Sequence, residues 1–366
     1  MNYSNRLYLD VHVLQTVPAS CINRDDTGSP KTAIYGGVRR ARVSSQSWKR
    51  AIRLMFKELF PEEKLGVRTK KIVDMVAEEI QRRHATEDPQ SAARKILEAA
   101  GLKIKSAEKG TDALFFLSRS QAGALAQLVA EEPGLLKGSL SKADKEKLMR
   151  ALTDRPAIDV ALFGRMVADD PSLNTDASAQ VAHSLSTHKV SNEYDYFTAV
   201  DDLSSEESAG AGHIGTIEFN SSTMYRYATV AIHQLAEQLA EDTVQAAVQF
   251  VRAFVCSMPT GRQNTFANRT LPDAVLVTLR NDQPINLVGA FEKPVPASDE
   301  GYVAPSARRL VRHARNVYRQ FAGEPAMSLV TGELLSELGE TLPLPDLLNT
   351  LARALSEYLP EGRNVL

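Results

Sequence analysis

Between Lys31 and Lys57 the chain carries Arg39, Arg40, Arg42, Lys49, Arg50 and Arg53 and not one aspartate or glutamate. Inside this stretch, AIYGGVRRARVSSQSWKRAIR (33–53) joins a glycine pair, Gly36–Gly37, to two serines, Ser44 and Ser45, at which a helical pattern begins. Gln46, Lys49, Arg50, Arg53 and Lys57 then recur three or four apart, the spacing of one polar stripe on a helix. These residue types suit phosphate chemistry. A helix start offers free backbone N–H groups and small hydroxyls to an anion, flanking arginines and lysines add charge-assisted hydrogen bonds, and a glycine pair lets backbone approach a ligand closely. Taken singly, each feature reads as a capped helix with a solvated basic face. Taken together, with acids excluded over 31–57, they favour the phosphates of a nucleic acid.

The rest of the composition sets bounds. The chain has 366 residues, 43 Lys+Arg against 45 Asp+Glu, and a formal net charge of −2, so the basic run is local and the total says nothing about partners. The length predicts two domains, or one domain with large insertions. A hydrophobic fraction of 43% with 24% charged residues is that of an ordinary globular chain, and no stretch approaches the roughly 18 apolar residues of a membrane helix. Cys21 and Cys256 have neither C-x-x-C nor zinc spacing, which suits a reducing cytoplasm. The N-terminal MNYSNRLYLDVHV alternates and carries Asp10, as a strand does and a signal peptide does not.

The elements that must position the basic stretch follow from periodicity. Leu7, Leu9, Val11 and Val13 alternate, predicting a half-buried strand over 6–15. The loop PASCINRDDTGSP leads to the basic segment. Trp48, Ile52, Met55 and Leu59 then predict a helix over 45–59. Residues 61–154 read as a helical insertion whose strongest helix is 111–131, with Leu114, Leu117, Leu125 and Leu128 as core. Strands are expected at 180–190, with Val181, His183, Leu185, Thr187 and Lys189 on one face, and at 224–232 and 273–280. An amphipathic helix is expected at 234–258 and two C-terminal helices near 305–321 and 344–358, beyond a proline-bearing linker. Without insertions the order is βαββαβ, the split βαβ or ferredoxin-like arrangement, an α+β class that hosts RNA binders and enzymes alike.

The segments CINRDD (21–26), AIYGGVRRARVSSQSWKRA (33–51), DVALFGRM (159–166), FTAVDDL (197–203) and the HIGTIEF–YRYA pair (213–228) closely resemble the backbone subunit of the type I-E CRISPR surveillance complex Cascade, the CasC family. The resemblance spans roughly residues 5–295 and leaves little on 61–154 and the C-terminal helices. It implies a hand-like subunit: a modified RRM palm (1–60 and 180–300), mainly helical fingers (61–179), a hairpin thumb (191–222) and C-terminal helices (301–366). It implies head-to-tail stacking of copies along a guide crRNA, presentation of that RNA to target DNA, further Cascade subunits, and a recruited helicase–nuclease that cuts. The same resemblance places guide-RNA contacts at Arg24, Lys31, Ser44, Gln46, Lys49 and Arg53. It places Met166 among the bases and Tyr196, Phe197 and Thr198 at a nucleotide displaced by the thumb. No cofactor, metal, catalytic residue or membrane contact is expected, and the expected location is the cytoplasm.

Other residues invite rival readings. Asp25–Asp26 and Asp201–Asp202 could hold Mg²⁺ for a metal-dependent endoribonuclease of ferredoxin-like fold, but paired acids in loops are commonly turn formers. His183 and His188, five apart, make a poor metal pair. No G-x-x-x-x-G-K-[ST] or G-x-G-x-x-G is present. A stand-alone single-stranded nucleic-acid binder is a further alternative. Which of Arg39, Arg40 and Arg42 face RNA is left open by sequence.

Overall fold

The computed structural model describes residues 6–106, 110–111, 114–137, 140–167, 170–199 and 213–359. The protein is of the α+β class and divides into two compact units, one of Met1–Ile52, Val181–Thr229 and Phe250–Pro360, the other of Arg53–Gln180, Val230–Gln249 and Glu361–Leu366.

The first unit is built on a mixed sheet. Its strands lie in the order Glu340–Thr341, Met327–Thr331, Ala274–Arg280, Tyr8–Ser20, His213–Ala231, Ser184–Ser186, Val38–Val43 and Thr32–Tyr35. Tyr8–Ser20 runs antiparallel to Ala274–Arg280, with Tyr8 opposite Arg280 and Leu14 opposite Ala274. The first strand is not half-buried as its alternation predicts. Leu9, Val11 and Val13 are buried on one face, and Asp10, His12 and Leu14 are equally buried on the other. The second face is covered by the C-terminal part of the unit, where Leu14, Tyr225, Leu276, Leu310, Ala314 and Val330 share one core. Polar residues survive there because they are bonded: Tyr227 Oη donates to Asp10 Oδ1 (2.9 Å), and His12 Nδ1 meets Tyr225 Oη (2.8 Å). The helix near 305–321 is Val303–Val317 with a wider turn to Ala322, and the last is Leu344–Tyr358. Between them the sheet gains Met327–Thr331 and Glu340–Thr341, short strands where only helices were expected.

Residues 180–190 do not form one strand. Ser184–Ser186 pairs with Arg42–Val43 on one side and Met224–Tyr225 on the other. The Ser186 hydroxyl accepts the Ala41 N–H (3.0 Å) and donates to His188 O (2.7 Å), which ends the ladder. His188 is buried, its ring 3.6 Å from that of Tyr302 and its Nε2 accepting the Thr223 N–H, while His183 is exposed.

The second unit is mainly helical. Ile72–Arg82, Pro89–Ala99, Arg119–Glu131 and Lys142–Thr153 enclose a core containing Val76, Ile80, Ile96, Leu125, Val129 and Leu148. Two small sheets interrupt the helices, Gly66–Thr69 with Phe115–Ser118 and Ile104–Ser106 with Gly110–Thr111. The helix expected at 111–131 therefore starts late. Ser118 caps it by accepting the Gln121 N–H (3.0 Å), and the Gln121 side chain accepts the Ser118 N–H in return (3.2 Å). Phe115–Ser118 stays extended, and Leu114 is 55% exposed rather than core. The helix expected at 234–258 is broken at Ala240, which sits at φ +46. Ile232–Leu239 ends there, and Thr243–Cys256 restarts after the Thr243 hydroxyl donates to Ala240 O (2.6 Å).

Candidate nucleic-acid interface

The helix expected at 45–59 spans Ser45–Leu59. Its inward residues are Trp48, Ile52 and Phe56, all at 1% exposure or less, whereas Met55 is only half-buried. Trp48 fixes the start: its Nε1 donates to Ser184 Oγ (2.8 Å), and the buried Arg226 guanidinium lies 3.8 Å from its ring centroid. Burial pushes Arg226 down to about 9, and the residue is held by Gln15 Oε1 at 2.6 Å and by Phe254 O.

Asn23 joins the loop to this helix start. Its side-chain oxygen accepts the Ser44 N–H (2.9 Å) and its carbonyl accepts the Lys31 N–H (2.9 Å), while Arg24 bridges to Pro30 across the same loop. Arg24, Lys31 and Ser44 are thus drawn together by one asparagine. Ser44 is buried and caps the helix, its Oγ accepting the Ser47 N–H (3.4 Å) and its carbonyl that of Trp48 (3.2 Å). A helix start leaves four N–H groups open. Those of Ser45 and Gln46 meet no acceptor among the described residues. Gln46 and Arg50 are exposed and Lys49 is half-buried.

The three arginines before the helix separate cleanly. Arg40 is buried and donates to the carbonyls of Tyr35, Ser186, Phe291 and Glu292, so it is a brace. Gly36, at φ +59, lies so close to Glu292 that a Cβ would fall 1.7 Å from its carbonyl oxygen, which makes glycine obligatory there. Arg42 donates to Thr32 O and meets His183 Nδ1 at 3.2 Å. Arg39 is exposed.

In the second unit, Arg53 is already engaged. Its Nε donates to Asp159 Oδ2 (2.9 Å), its Nη2 reaches Gly66 O (3.3 Å), and the guanidinium lies over the Phe116 ring (4.4 Å). Asp159 is 2% exposed, and burial raises its carboxyl above the ordinary range while Arg53 pulls it back. From Asp159 the motif DVALFGRM turns outward. Gly164 takes φ +78 to end the helix Ile158–Phe163, and the buried Arg165 fans its guanidinium onto Leu173 O, Phe116 O and Leu152 O. Burial lowers Arg165 to about 10. The residue so presented is Met166, 85% exposed.

In the segment expected to be a thumb, Glu193–Ala199 pairs antiparallel with the first residues of His213–Ala231. Strand alternation puts Tyr194, Tyr196 and Thr198 on one face and Phe197 on the other. Tyr194 is 67% and Tyr196 63% exposed. Phe197 lies across Gly215, where a Cβ would come within 2.5 Å of its ring. Asp201, Asp202, Gly210 and Gly212 lie outside the described residues.

Residues 9–350 match the family model of the CT1975-like protein. The chain belongs to the CT1975-like protein family. Its fold is similar to a solved chain of a "CRISPR RNA-guided surveillance complex, pre-nicking", at 34% identity and a TM-score of 0.80, covering 95% of this chain and 100% of that one. It is similar too to a chain of another CRISPR RNA-guided surveillance complex, at 28% identity and a TM-score of 0.71, covering 95% and 99%. No curated protein matches.

Within this CT1975-like chain Asp25, the first of the paired acids at 25–26, has a local explanation. Asp25 Oδ1 accepts from Thr27 Oγ1 (2.7 Å), Thr27 N (3.0 Å) and Ser29 N (3.0 Å), bonds that hold its carboxyl below the ordinary range and close a turn. No group of three or more His, Cys, Asp or Glu among the described residues could hold a metal ion. Sequence reasoning misses Asn23, Asp159 and Arg165 as positioning residues, and Tyr194 as an exposed aromatic. The signal is present in part, since the resembling segments CINRDD and DVALFGRM contain the first three. Their partners, up to 106 residues away for Arg53 and Asp159, are not readable there.

Proposed function

We propose that this CT1975-like chain is a non-catalytic backbone subunit of a CRISPR surveillance complex, coating a guide crRNA and presenting it to target DNA. The observation that carries the reading is the match, over nearly the whole of both chains, to subunits of two RNA-guided surveillance complexes. The strand order Ala274–Arg280, Tyr8–Ser20, His213–Ala231, Ser184–Ser186 supports an RRM-like palm. The second unit would then be the fingers and the hairpin from Glu193 the thumb.

The open N–H groups of Ser45 and Gln46 take a guide phosphate, with Lys49, Arg24 and Lys31 as flanking charge. Ser44 acts through the cap and Arg53 through its pair with Asp159. Met166 offers an apolar contact to bases, and Tyr196 with Thr198 an edge for stacking. Sequence recognition belongs to base pairing while the protein reads backbone and shape. Copies stack head-to-tail through a heterologous interface that propagates along the RNA, joined by other Cascade subunits and a recruited helicase–nuclease. Purification from native cells followed by sequencing of the bound RNA tests this: repeat-flanked spacers are expected, and random cellular RNA would overturn it.

A further inference from the structure

The first unit carries a second basic surface. From Gly301 to Gly323 the chain has no aspartate, glutamate or lysine, yet it holds Arg308, Arg309, Arg312, Arg315 and Arg319. In the helix Val303–Val317, Ala307, Leu310, Val311 and Ala314 are buried in the core beneath. Arg308, Arg312, Arg315 and Arg319, spaced four, three and four apart, run along the other side. With Arg309 they line an open groove of about 770 Å³ whose rim carries Glu337.

Charge in the groove is unbalanced. Arg308 pairs with Glu300, and Arg315 with Glu337 at 2.7 Å. Arg312 and Arg319 are exposed and meet no carboxylate among the described residues, and Arg309 donates only to the Lys293 carbonyl. Five guanidinium groups thus face two carboxylates.

Geometry narrows the partner. From Arg308 to Arg319 the helix extends about 16 Å, which runs past about five phosphates of one strand of a duplex at roughly 3.4 Å each. Guanidinium groups bind phosphate oxygens in a fixed fork. The groove is lined by Gly289, Ala290, Val311, His313, Asn316 and arginine stems; Val311 is buried and His313 half-buried, so it offers no large exposed apolar anchor such as a protein partner would need. Its one ring is the half-buried His313, whereas a grip on single strands takes a series of stacking platforms.

We propose that the arginine face of Val303–Val317 is a sequence-independent docking surface for the phosphate backbone of duplex DNA, built from residues other than those that hold the guide. The inference rests on the preceding functional reading only in naming the duplex as DNA.

The test uses the ribonucleoprotein purified with its RNA and, as probe, a short labelled DNA duplex with no match to any guide, titrated over a series of salt concentrations. The triple variant Arg308→Gln, Arg312→Gln, Arg319→Gln should keep its RNA and its thermal midpoint yet bind the duplex more weakly. Its log–log salt slope should fall by about 2.7, at about 0.9 for each phosphate no longer neutralised. The matching triple lysine variant should keep the slope. An unchanged slope in the glutamine variant overturns the proposal, as does loss of RNA or of multimers with duplex binding intact. If the co-purified RNA is random, the guide reading fails, while the slope comparison still decides the fate of the groove.

Discussion

Arg53 shows how one residue changes meaning once its neighbours are known. In the sequence it extends the basic stripe of Lys49 and Arg50. In the structure it neutralises Asp159, a carboxylate at 3% side-chain exposure. Removing one partner of a buried pair strands the other, at about 3–5 kcal/mol for full burial. Arg53 is 24% exposed, so Arg53→Ala should cost about 2 kcal/mol of unfolding free energy, and Asp159→Asn in the same background should restore part of it. Lys49→Ala should instead weaken RNA binding equally for any guide and flatten the salt slope by about 0.7. An affinity loss with an unaltered slope would make Lys49 a packing residue. Asp10 gives a pH prediction. Burial raises its carboxyl from 3.8 to about 6 despite hydrogen bonds from Tyr227 and Ile285. Because the folded value lies above the ordinary one, the stabilising contribution is complete below the ordinary value and is lost as pH rises through about 6. Denaturation of Asp10→Asn and the parent should therefore differ with pH, the variant gaining by up to about 3 kcal/mol between acid and neutral solution. His12, on the same face, is held neutral down to about 3 by burial and is common to both proteins.

At the scale of elements, the sequence is most legible where one period runs uninterrupted. The helix Ser45–Leu59 and the strand Ala274–Arg280 appear close to where their patterns put them. The failures have physical causes. FFLS at 115–118 is an apolar run that suits a strand or a helix equally, and what decides between them is the Ser118–Gln121 capping box, a Ser-x-x-Gln spacing that hydrophobic periodicity alone passes over. The break at Ala240 has no glycine or proline to announce it. The C-terminal strand Met327–Thr331 is five residues long and draws its stability from pairing with Ala274–Arg280, a partner about fifty residues back. The antiparallel pair of Glu193–Ala199 with His213–Ala231 falls within the segment that the resemblance marks as a thumb, yet the partition of its aromatics is not legible there. Phe197 lies across Gly215 and is still 37% exposed, while Tyr196 on the other face is 63% exposed; Tyr196→Ala should weaken guide binding by about 1–3 kcal/mol, the value of a stacked base, while leaving the thermal midpoint unchanged. A lowered midpoint with normal RNA affinity would assign Tyr196 to packing.

For the whole molecule, the proposed stacking would repeat the Glu193 hairpin along one RNA and so imply a periodic read-out. If each thumb displaces a base, the guide pairs with DNA in short segments interrupted at intervals set by subunit spacing. Mismatches at the displaced positions should then cost target binding almost nothing, while mismatches between them carry the usual penalty; uniform sensitivity along the guide would refute the wedge. The hairpin that would do this has an unusual root. His213–Ala231 is one uninterrupted strand of 19 residues, about 60 Å of chain at roughly 3.3 Å per residue. Its first residues back the aromatic edge at Tyr196, and Met224 and Tyr225 further along pair with Ser186 and Leu185. Side chains alternate along it with a period of two, so losing or gaining a single residue between Phe219 and Met224 would turn one end over relative to the other. Among relatives, sequence length should therefore be held constant across this short span and drift freely beyond it, and single-residue indels placed there should spare expression of the sheet while reversing the face on which the tyrosines stand.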